Sequence, residues 1–126
     1  MHNFRKLQIW IDGMNLVDDI YNATDKFPKH ELFGLASQMQ RSATSVPSNI
    51  AEGSGKSSNK DFARFLSISV GSLFELETQV LIAERRGYID NSQSQDLQNK
   101  IIRLEKMINT FKEKLDPSSM PPQVFL

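Results

Sequence analysis

The chain has 126 residues, 15 Lys and Arg against 15 Asp and Glu, and no cysteine. That length suits one domain able to bury a core unaided, and the missing cysteine excludes disulfides and thiolate metal sites and predicts a reducing, cytoplasmic setting. Balanced charge excludes a global field drawing the chain to nucleic acid or anionic lipid; no leader-like run opens it and no segment reads as long enough to span a membrane, so no membrane partner is expected.

Apolar residues recur at steps of three and four from one end to the other, and no strand pattern competes. The first predicted helix covers 5–23, with Leu7, Trp10, Met14, Val17 and Tyr21 as its core stripe and Ile9, Ile11 and Leu16 left off it. Pro28, which has no N–H to lose at a helix start, opens the second, with Glu31 in its positive first turn. That helix carries Leu32, Leu35, Met39, Ala43, Val46 and Ile50 and ends near Glu52 and Gly53. It is expected to continue through Pro47 with a bend, at a cost on the order of 3 kcal/mol in a regular helix. Arg41, Ser42, Thr44, Ser45, Ser48, Asn49 and Glu52 make it unusually polar. Two readings stay open: a solvated, kinked helix, or a buried polar seam, in which Arg41 or Asn49 would meet Glu75 on the third helix.

The stretch "AEGSGKSSNKDF" that follows looks like a phosphate-binding loop. A Walker A motif, however, needs a glycine five residues before Gly55, where Ile50 stands, and a strand beneath it, where this chain has helical spacing. It is read instead as a turn whose glycines let the chain reverse. Ser58 then caps the third helix, with Asp61 three residues on. Phe62, Leu66, Ser69, Leu73, Leu76, Val80 and Ala83 form its heptad stripe, and Phe65, Ile68, Leu81 and Ile82 lie beside it. Such a helix is central to its fold or contacts another copy, and Phe65, Ile68 and Ile82 are the candidate oligomer contacts. Gly87 is expected to end it in the left-handed conformation. The fourth helix starts at Asp90 or Ser92 and carries Leu97, Ile101, Leu104, Ile108, Phe111 and Leu115. Short breaks between long amphipathic helices predict an all-α, up-down-up-down four-helix bundle over 1–115. Residues 116–126, with three prolines, are expected to form a flexible, non-helical tail.

Chemistry-bearing groups are scarce. His2 and His30 have no second histidine at ligand spacing, and Glu75 and Glu77 point to different faces of one helix. No catalytic residue, metal or cofactor is expected, and the protein is read as a non-enzyme.

The segments "LQIW", "IYNAT" with Phe27 and Pro28, "SVPSNIAEG", "DFARFL", "GSLFELE" and "RGY" occur in an order that closely resembles the bacterial four-helix-bundle proteins encoded in intervening sequences of large-subunit ribosomal RNA genes. The resemblance covers nearly the whole chain. It implies a left-handed bundle whose protomers assemble into a ring, usually a pentamer, with no established catalytic residue and an unsettled role. It extends to the accessory protein of diversity-generating retroelements, which partners a reverse transcriptase and contacts nucleic acid through a basic surface. By that analogy Arg41, Lys56, Lys60 and Arg64 are the candidate contacts to RNA, DNA or a nucleic-acid enzyme. The alternative is a structural scaffold that engages protein alone.

Overall fold

The computed structural model describes residues 2–119, and its helices follow from the amphipathic spacing of the sequence. After a 3-10 turn at Phe4–Lys6 come α1 (Gln8–Thr24), α2 (Leu35–Ser54), α3 (Asn59–Arg85) and α4 (Asn91–Leu115). Among the described residues there is no strand. The heptad stripe expected for α3 is the one that packs inward, since Phe62, Leu66, Ser69, Leu73, Leu76, Val80 and Ala83 are all buried.

Capping chemistry sets the ends of the later helices. Ser58 accepts from the Asp61 backbone N–H at 3.1 Å, and Asp90 begins α4 with a complete capping box to Gln93. Gly87 takes a φ of +75° beyond α3, as a left-handed C-terminal residue should. Pro28 opens only a 3-10 turn, Lys29–Glu31, and α2 begins later at Leu35. Glu31 still serves the positive helix start from outside it, because its Oε1 accepts from the Leu35 N–H at 3.1 Å. The first helix likewise starts at Gln8 rather than at Arg5, since Leu7 is extended.

Helix α2 is central to the packing. It runs unbroken through Pro47, whose ring faces Gly13 of α1. Gln40 of α2 also donates to Thr24 Oγ1 of α1 at 3.0 Å. On its other side, Ser69 of α3 donates to the Val46 carbonyl at 2.9 Å, and Gly53 sits where α3 comes closest, beside Phe62 and Phe65. Helix α4 closes the arrangement against α3 and, more lightly, against α1, which leaves α1 and α3 on a diagonal.

Three expectations need correction. The core stripe of α1 is Ile9, Gly13, Leu16, Ile20 and Thr24, while Met14 and Tyr21 are exposed, so Ile9 and Leu16 face inward after all. The phase of a broadly apolar helix is set by its neighbour, and Gly13 is where α1 meets the Pro47 ring. Gly53 is a helical residue at a close contact and Gly55 has an ordinary φ of −85°, so neither supplies a reversal through positive φ. The segment after α4 begins with a 3-10 turn, Pro117–Ser119, packed on α3 and α4; the remainder of the expected tail, 120–126, lies outside the described residues.

The membrane reading also changes. Helix α3 is long and apolar enough to cross a membrane by composition, with a window of mean hydropathy 1.3. Here it is the helix packed between α2 and α4, and the same apolarity follows from having a core face and an uncovered face.

Candidate functional site

Two surfaces are built by the α2–α3 pair, one at its turn and one along its length. At the turn, Lys56 Nζ lies 5.0 Å and Arg64 Cζ 5.1 Å from the centroid of the Phe65 ring. The face of an aromatic ring attracts cations, so a single half-buried phenylalanine gathers both. Arg64 also approaches Asp61 at 3.9 Å. Lys60 is exposed in the first turn of α3. Lys56, Lys60 and Arg64 therefore share one end of the molecule. Arg41 does not join them: it lies roughly 20 Å away along the α2 axis. The predicted basic set is thus three residues around Phe65 and one distant arginine.

Along the pair, the polar residues of α2 do meet α3, with partners that differ from those expected. Ser42 Oγ donates to Glu75 Oε1 at 3.1 Å, and Gln79 Nε2 reaches the same oxygen at 3.4 Å. Ser45 and Ser72 hydroxyls are 2.8 Å apart. Asn49 turns its amide back to the Ser45 carbonyl at 2.8 Å. The Arg41 side chain is exposed and makes no ion pair or hydrogen bond among the described residues. Polar contacts do join the two helices, but they are half-buried rather than buried, Glu75 itself is exposed, and Ser42 rather than Arg41 or Asn49 brings Glu75 to α2. Arg41 and Glu75 instead both line a shallow depression of about 270 Å³ with Gln38, Ser42, Ser45 and Ser72.

The outer face of α3 carries large apolar side chains interleaved with exposed Ser67, Glu75 and Thr78. Ile68, Phe74, Leu81 and Ile82 are 44%, 56%, 43% and 42% exposed, and at 100° per residue they fall within one arc of the helix. Two of the three predicted oligomer contacts, Ile68 and Ile82, belong to this stripe. Phe65 sits at the cationic turn instead. Phe74, the most exposed of the four, was not anticipated as a contact, although its spacing of seven from Leu81 placed it on the same face. On the diagonal helix, Met14 and Tyr21 are exposed, with Trp10 and Val17 half-buried beside them. Phe33, just before α2, is 91% exposed.

At the opposite end from the basic turn, Glu31 is locked into the fold. Tyr88 donates its hydroxyl to Glu31 Oε2 at 2.8 Å. The Leu35 N–H first, and Tyr88 second, hold this carboxyl below its ordinary range. His30 stands edge-on to Tyr88, and His2 packs near Phe62 and Phe111. Among the described residues no three His, Cys, Asp or Glu side chains gather as metal ligands.

Four packed helices carrying exposed faces of opposite character, apolar along α3 and cationic at its start, define a helical-bundle protein built around its surface. The chain belongs to the 23S rRNA-intervening sequence protein family, whose model matches residues 5–110. A crystal structure of an S23 ribosomal protein family member of unknown function from Bacteroides thetaiotaomicron is similar to it, with a TM-score of 0.77 and 23% identity over 83% of this chain and 98% of that one. At that identity the likeness is one of fold. No curated protein matches the chain. Family and structural neighbour carry no assigned role.

Proposed function

We propose that this up-down-up-down, left-handed bundle is a non-enzymatic assembly module of the cytoplasm, and that copies of it close into a ring through the outer face of α3. The carrying observation is the stripe Ile68, Phe74, Leu81 and Ile82, four large apolar side chains left in water on one helix. A second apolar strip, Met14 and Tyr21, lies on the diagonal helix α1. Two unlike patches on different sides of a protomer suit a head-to-tail contact, which closes into a ring when the rotation permits. Arg41 and Glu75, opposite in charge and both at the edge of the stripe, would supply polar register to the contact. Light scattering at micromolar concentration is expected to give a closed oligomer, pentameric by the family resemblance. A stable monomer would count decisively against assembly.

A second reading, nucleic-acid association, is favoured by the cluster of Lys56, Lys60 and Arg64 around Phe65. One protomer of zero net charge offers few phosphate contacts. A ring repeats the cluster, and phosphate contacts add with each copy. Binding would be weak, indifferent to sequence and steeply salt-dependent. Filter retention of RNA or DNA at low salt by the wild type, abolished by K56E with K60E while the assembly persists, is the expected result. Absence of retention by the assembled wild type leaves the protein scaffold as the reading.

A further inference from the structure

The buried seam between α3 and α4 holds an uncompensated carboxyl. Glu105 of α4 is only 9% exposed, and its Oε1 is out of contact with water and has no hydrogen-bond partner. Across the seam it meets the Glu77 carboxyl of α3, within hydrogen-bonding reach. Two carboxylates in contact inside a protein repel, whereas a carboxylic acid donating its O–H to a carboxylate does not.

Among the described residues no cation relieves them. From α4, Lys112 lies two turns further on and gives its Nζ to Ser67 Oγ at 3.1 Å. Lys100 and Arg103 stand on the α1 side of α4, in a cleft of about 350 Å³ with Asp12 and Asp19, where Lys100 pairs with Asp19 and Asp96. From α3, the next acid toward the far end is Glu84, already held by Ser94 and Asn91 of α4. Lys106 is exposed. Among the described residues, Glu77 is the one charged group that acts on the Glu105 carboxyl.

We infer that Glu77 and Glu105 hold one proton between them across the α3–α4 seam, and that its loss loosens the seam, so that the bundle weakens as the solution turns alkaline. Burial, more than the neighbouring Glu77, pushes the Glu105 carboxyl up to about 7 from an ordinary 4.5. The folded chain then binds one more proton than the unfolded chain between those two values. Its stability is highest below the lower value, falls as pH rises through the window, and levels off above the upper one.

The test is thermal unfolding of the wild type, E105Q and E77Q between about pH 5 and 8, at two protein concentrations so that assembly-linked protons are separated from those of the fold. The wild-type midpoint is expected to fall by more than ~5 °C across this range at both concentrations. E105Q, neutral at every pH and still a donor to Glu77, should flatten the profile and melt above the wild type at the alkaline end. An E105Q profile parallel to that of the wild type overturns the inference, as does a wild-type slope that appears only at the higher concentration. Should the variants not fold, the wild-type Glu105 carboxyl carbon decides by NMR titration: a midpoint near 7 supports the shared proton, and one near the ordinary value refutes it.

Discussion

Gly53 and Gly13 are both buried helical glycines at helix–helix contacts, and the distances around them assign opposite consequences to the same substitution. A Cβ on Gly53 would lie 2.7 Å from Phe65 Cβ and 2.9 Å from Phe62 Cδ1. Neither is the loose end of a flexible chain. Helix α3 would have to retreat just where it turns out of α2, disturbing the Phe65 ring that gathers Lys56 and Arg64. On Gly13 the nearest atoms belong to the Pro47 ring at 3.5 to 3.7 Å, an ordinary van der Waals separation. Urea unfolding should therefore show G53A destabilised by about 1–3 kcal/mol through overpacking. G13A should be neutral, or stabilised by up to ~1 kcal/mol from the better helix propensity of alanine. Equal losses at the two sites would contradict the geometry. Pro47 shows the same dependence on surroundings: the helix around it is supported from α3 by the Ser69 hydroxyl on the Val46 carbonyl and from within by the Asn49 amide on that of Ser45, contacts worth about 1 kcal/mol each.

At the scale of whole helices, the burial phase of α1 is the quantity to test. Ile20 is fully buried and Met14 is 41% exposed, although the two sit on the same helix and both are apolar. I20A should cost about 2–5 kcal/mol, because it leaves a cavity among packed helices. M14A should cost less than ~1 kcal/mol in the isolated protomer. The same contrast explains what could be read from the sequence. Helix α3 was legible because Phe62, Leu66, Leu73, Leu76 and Val80 recur at heptad spacing on its buried side, so period and phase coincide. The buried stripe of α1 contains Gly13 and Thr24, while Trp10, Met14, Val17 and Tyr21 make a more hydrophobic stripe beside it. Periodicity locates a helix, but only the partner helix chooses between two such stripes. The polarity of α2 was likewise legible, and the partners were not. Ser42 is the neighbour of Arg41 in sequence, yet it lies about 100° around the helix, on the inward side. Glu77 and Glu105 come from different helices, so no local spacing announces them.

For the molecule as a whole, the proposed assembly through the apolar stripe on α3 would link stability to concentration. Folding and assembly share one equilibrium when a face exposed in the protomer is covered in the oligomer, and ligation of the folded form alone raises the melting temperature as concentration rises. Phe74 is the residue for this test. At 56% exposure it contributes little to the protomer core, and a charge placed there would be buried without a partner in an oligomer joined through this face. Wild-type protein should melt at rising temperature as its concentration increases, whereas F74E should melt at one temperature throughout. At high dilution, where the wild type is also dissociated, the two midpoints should converge to within ~2 °C, because a surface substitution of this kind changes the protomer by no more than about 0.5 kcal/mol. Convergence separates lost assembly from lost folding. A concentration-dependent midpoint that survives F74E would move the contact off this face of α3, and the strip formed by Met14 and Tyr21 on α1 would then be the place to look for it.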